Sequence, residues 1–95
     1  MTDIVISAIA LVKAADACNA ADYEAGRHYD ASYAVLSAAR DYLVSITPQT
    51  DEGARALAIW VAEDLRRDGD APLDTIAAAE RLSEWAKQVG PAKQN

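Results

Sequence analysis

Glu24, His28 and Ser32 recur at intervals of four and carry the residue types of a hydrolytic triad: an acid, an imidazole base and a hydroxyl nucleophile. If all three lay on one helix they would stack along one face. Nucleophile, base and orienting acid must instead converge on one point, and no glycine-rich turn nearby offers donors for an oxyanion. The spacing therefore predicts a surface Glu24–His28 pair, not catalysis.

Metal and phosphate chemistry fare no better. A di-metal bundle needs Glu-x-x-His motifs on two helices, and this chain has one histidine, four residues from Glu24. Asp68, Asp70 and Asp74 lack calcium-loop spacing and its terminal Glu. No glycine-rich phosphate loop is present. Cys18 is the single cysteine, which excludes an internal disulfide and a Cys-rich zinc site. Its place in an apolar stripe predicts a buried small hydrophobe. No catalytic, cofactor or metal residue is expected.

The elements that must position these side chains are helices. Nearly a quarter of the 95 residues are alanine, the best helix former, and phenylalanine is absent. Four apolar-periodic segments separated by Pro, Gly, Thr and Asp predict an all-α, alanine-rich, compact single domain, a bundle of about four mostly antiparallel helices. They span about 3–20, 22–46, 51–67 and 72–89, with a frayed tail over 90–95.

Thr2 or Asp3 caps the first helix. Ile4, Ala8, Leu11, Ala15 and Cys18 form its stripe, widened by Val5, Ile9 and Val12, so it should sit centrally among several neighbours. Asp22 is available to cap the second helix, in which Gly26 is a soft spot, so that its true start falls after Gly26 on one reading. Thr47-Pro48 breaks the chain and Thr50 caps the third helix. Gly69 ends that helix, Pro72 opens the fourth, and Gly90-Pro91 stops it.

Two surfaces are candidates for binding. Tyr29, Tyr33, Tyr42, Trp60 and Trp85 combine an apolar body with a polar handle, as interface residues do. The plainer reading is that they roof a core thinned by alanine. Asp51, Glu52, Glu63, Asp64 and Asp68 are the candidate acidic surface, although Glu63-Asp64 also reads as an ordinary solvated face and Arg55, Arg66 and Arg67 interrupt the series.

The net charge is −6, with 15 acidic against 9 basic residues. Scattered cations disfavour nucleic acid and anionic membrane as direct partners. The apolar run Ile4–Val12 has no basic residue before it and is too short to span a bilayer. It reads as the first helix of a cytoplasmic protein.

Within Ile46 to Leu65, Thr47-Pro48, the capping Thr50, Gly53-Ala54 and the following Trp60 resemble a small uncharacterised group of alphaproteobacterial and phage-associated helical proteins. Asn19, Asp22 and Tyr23 in their alanine-rich setting are similar to the same group. The resemblance covers about half of the chain. It implies helical architecture and a mobile-element origin, and it brings no activity and no functional residues.

The expected function is a non-enzymatic helical protein–protein interaction module that self-associates or docks on a protein partner. The alternative is a phage-type inhibitor, anti-CRISPR or anti-restriction, working through its acidic surface. A ligand pocket between the helices and a helix-turn-helix at Asp68-Gly69-Asp70 find less support. The helix after that turn begins Pro72-Leu73-Asp74, without groups that read bases.

Overall fold

A computed structural model describes residues 3–68 and 73–93, and the side chains of 3–67 and 73–88. Four helices follow in order: α1 (Ile4–Glu24), α2 (Asp30–Val44), α3 (Asp51–Asp68) and α4 (Leu73–Lys93), with no strand among the described residues. The chain is an all-α four-helix bundle.

The helices form a ring in which α1 touches α2 and α3, and α4 touches α2 and α3. The pairs α1–α4 and α2–α3 are diagonal. Antiparallel pairing holds within the α1–α2 and α3–α4 hairpins. Between hairpins the neighbours run the same way. Asp3 meets Thr50 at one end of α1, and Asp16 meets Arg67 further along. Arg40 likewise meets Asp74, and Thr47 meets Glu84.

The core is small because its residues are small. Val5, Ala8, Ile9, Val12 and Ala15 from α1 meet Ala39 and Leu43, Leu57 and Trp60, and Ala78. In α1 this differs from the expected stripe. Val5 and Val12 point inward, while Ile4, Leu11 and Cys18 are exposed. Cys18 is therefore not a buried hydrophobe. A helix apolar around most of its girth gives no sequence signal for which side faces in. With two neighbours rather than several, α1 leaves much of that girth in water. It is also long and apolar enough to cross a membrane by length and composition, a test that core helices of globular proteins also pass.

Several boundaries differ from expectation. Helix α1 continues to Glu24, and the chain turns through 25–29, where Gly26 takes φ +71°. Only glycine adopts that left-handed conformation without penalty. Asp22 accordingly lies in α1 and accepts from Arg27 Nε at 3.1 Å instead of capping α2. At the other end, α4 runs through Gly90-Pro91 to Lys93. Pro91 gives up one backbone bond, to the Lys87 carbonyl, and only two residues of helix follow it. Gly69 and Pro72 lie outside the described residues.

Asp3 holds the two inter-hairpin neighbours α1 and α3 together at their starts. Its Oδ1 accepts from Val5 N at 3.0 Å, which caps α1. Its Oδ2 accepts from Gln49 N, Thr50 N and Thr50 Oγ1, each at 2.9 Å. Thr50 Oγ1 in turn accepts from Gly53 N at 3.0 Å, which makes Thr50 the cap of α3. Burial by itself would raise the Asp3 pKa. The four hydrogen bonds outweigh it and hold the carboxyl below its ordinary value.

Candidate functional site

Glu24, His28 and Ser32 do not share a helix. Glu24 ends α1, His28 lies in the turn, and Ser32 belongs to α2. The helical Glu24–His28 pair expected from spacing is thus absent. Ser32 Oγ donates to Asn19 Oδ1 at 3.2 Å and to the Tyr29 carbonyl at 3.1 Å, which ties the hairpin together. Among the described residues no group of three His, Cys, Asp or Glu side chains is placed to hold a metal ion.

The densest chemistry lies where sequence reasoning expected a solvated face. Asp64 is 3% exposed and is not part of an acidic surface. Arg40 reaches it from α2 as a fork, with Nη1 to Oδ1 at 3.3 Å and Nη2 to Oδ2 at 3.0 Å. Thr75 of α4 donates to Oδ2 at 2.6 Å, and Arg67 Nη2 donates to Oδ1 at 2.8 Å. Arg40 Nε also donates to Asp74 at 2.9 Å, and Arg67 Nη1 to Asp16 of α1 at 3.3 Å. All four helices contribute.

Trp60 closes the cluster. Its ring centroid lies 5.0 Å from the Arg40 guanidinium carbon, and the side chain is 6% exposed. A delocalised cation over an indole face is a favourable contact. Trp60 is thus a core residue and not an interface residue. The sequence held a signal for this arrangement in the lone Arg40 on an otherwise apolar face of α2, since a cation there needs a partner from a neighbouring helix.

The electrostatics follow from these bonds. Burial would raise the Asp64 pKa, but Arg40, Thr75 and Arg67 outweigh it and hold the carboxyl below its usual range. Arg40 is stabilised in the opposite sense: burial would lower its pKa, and Asp64 and Asp74 raise it above the usual value. A carboxylate held ionised in this way is poorly matched to proton transfer at neutral pH. The cleft of about 230 Å³ over the cluster is lined by Lys13, Asp16, Glu63 and Arg67 with Val12 and Trp60, so its charges are mixed and mutually paired. Lys13 Nζ lies 4.0 Å from Glu63.

The remaining acidic candidates do not gather. Asp51 and Glu52 are exposed in the first turn of α3, Glu63 lies beyond the middle of that helix beside Lys13, and the Asp68 side chain falls outside the described set.

The tyrosines also separate. Tyr29 makes an edge contact with Tyr23 at the hairpin turn, with centroids 5.5 Å apart. Tyr33 and Tyr42 are nine positions apart, which places them on opposite flanks of α2. Trp85 is half-buried on α4 and lines a groove between α3 and α4. The five aromatic candidates therefore form no single patch.

A different surface is continuous. Adjacent residues on a helix step by about 100°. Val12 faces inward, and Lys13 and Asp16 lean toward α3, so Leu11 leans the other way, toward α2. Ile4, Ser7, Ala14 and Cys18 share this position, each preceding an inward or half-buried residue, and all are exposed. In α2, Arg40 leans toward α4, so Val35, Ala38 and Tyr42, each preceding an inward or half-buried residue, lean toward α1. They too are exposed. Leu11 is 51% and Val35 57% exposed. The outer wall of the α1–α2 hairpin thus carries Ile4, Leu11, Cys18, Val35 and Tyr42 on a bed of alanine, with no charged side chain within it.

The fold and these surfaces define a small all-α four-helix bundle with a buried ionic clasp and an uncharged outer wall. No family model matches the chain, and no match is found among curated proteins or among solved structures.

Proposed function

We propose that the protein is a non-enzymatic helical interaction module that binds protein through the outer wall of the α1–α2 hairpin. One observation carries this reading: Leu11 and Val35 are each about half exposed in the middle of a wall that holds no charge. A contiguous exposed apolar surface rimmed by polar residues is characteristic of protein contact. In contrast, the polar cluster has its arginines and its central carboxylate already engaged with each other. Its work is to clasp the two hairpins, which keeps the wall in shape. Nucleic acid is disfavoured as a partner because Arg40 and Arg67, the cations of that cluster, are neutralised within the chain.

The test is site-specific photo-crosslinking in cells, with the photoreactive residue placed at position 11 or 35 and, as control, at position 59 on α3. Ile59 is 55% exposed, so exposure is matched. Protein adducts from 11 and 35 that greatly exceed those from 59 are expected. Equal yields, or none, would end this reading.

A further inference from the structure

We infer that the occupant of the α1–α2 wall is a second copy of this chain, packed wall to wall about a two-fold axis. The inference rests on the interaction-module reading above and names its partner.

The pattern on α1 is self-complementary, as a two-fold interface requires. Ile4, Leu11 and Cys18 are spaced seven apart, and Ser7, Ala14 and Ala21 fall between them at steps of three and four. This is the alternation of large and small residues that lets knobs enter holes across an antiparallel pair. With the axis between Leu11 and Ala14, Leu11 meets Ala14, Ile4 meets Ala21 and Cys18 meets Ser7 of the other chain. The stripe from Ile4 to Ala21 is about 26 Å long.

Charge is arranged to permit this approach. Two copies each carrying −6 repel, yet the two aspartates of α1 are engaged within their own chain. Asp16 pairs with Arg67 and Asp22 with Arg27. The contact is thus between two uncharged walls with the excess charge at the rim, where salt screens it.

A lipid surface fits less well. Interfacial helices carry Lys and Arg on the face that meets headgroups. The charged residues bordering this wall include Asp41 of α2 and, at the hairpin end, Asp22 paired with Arg27, while Lys13 lies on the α3 side of α1.

The experiment is sedimentation equilibrium of the full chain over a wide concentration range, comparing the native protein with Leu11→Lys and Ile59→Lys. Both positions are exposed, and circular dichroism checks that both variants keep their helix content. A monomer–dimer equilibrium is expected, weakened tenfold or more by Leu11→Lys and unchanged by Ile59→Lys. A monomer at every concentration, a dimer indifferent to Leu11→Lys, or a monomer that floats with lipid vesicles would each overturn the inference. A monomer whose position-11 adducts go to another protein overturns the second copy and leaves the interaction module standing. A monomer without such adducts removes both.

Discussion

The Asp3 carboxylate occupies the space that a side chain at position 53 would need. A Cβ built on Gly53 lies 3.0 Å from Asp3 Cβ and far inside contact distance of Oδ2. The glycine is there because the joint cap of α1 and α3 is there. Gly53→Ala should therefore destabilise the fold by about 2–3 kcal/mol in urea unfolding, although alanine is the better helix former by about 1 kcal/mol. In an Asp3→Gly background the same substitution should change stability by no more than about 1 kcal/mol, because the carboxylate and the Cβ have both gone. The double-mutant cycle reads this coupling directly. Additive effects would contradict it.

The Asp64 clasp should behave as a buried ion pair. Asp64→Ala leaves Arg40 half-buried beside Trp60 with only Asp74, and should cost about 3–5 kcal/mol. Thr75→Val removes one of four donors to the carboxylate and should cost about 1–2 kcal/mol. Equilibrium unfolding of both variants tests the order. Equal effects would mean that the hydroxyl and the cations contribute alike.

The same two carboxylates set an acid limit. Asp3 and Asp64 are both held below 3.8 in the folded chain and return to about that value on unfolding. A depressed folded pKa contributes stability above the unfolded value and loses it as pH falls through the folded one. Stability from these groups should therefore be level from neutral pH down to about pH 5. It should then fall below about pH 4 by up to about 1.4 kcal/mol per pH unit for each group. Asp3→Asn and Asp64→Asn should each flatten that slope in unfolding curves taken across the range. An unchanged slope would contradict the assignment.

The separation of the tyrosines gives a specific contrast. Tyr42 lies on the α1 side of α2 and Tyr33 on the other flank. Tyr42→Ala should weaken self-association several-fold, and Tyr33→Ala should leave it unchanged, both read by sedimentation at matched concentrations. The reverse order would move the interface to the α4 side.

Much of the fold was legible because its punctuation is local. Thr47-Pro48, the Thr50 cap and the Asp3 cap are each set by residues within a few positions, and all are found where the sequence places them. Long-range geometry was not legible. With nearly all of α1 apolar or alanine, hydrophobic periodicity gives no preference between a Val5–Val12 side and an Ile4–Leu11–Cys18 side. The choice is made by α3, through Asp16 with Arg67 and Asp3 with Thr50, contacts about fifty residues away in the chain. Asp64 was misplaced for a similar reason. Beside Glu63 and Arg66 it has the look of solvent-facing sequence, and only Arg40 from a diagonal helix turns it into a buried partner.

Cys18 offers the most direct test of the central claim, since it is exposed in the single chain and lies within the wall. Its alkylation rate by iodoacetamide, measured across protein concentration, should fall as the chain concentrates and the wall is covered. Leu11→Lys should restore the fast rate at every concentration. A rate independent of concentration in the native chain, equal to that of Leu11→Lys, would contradict the account.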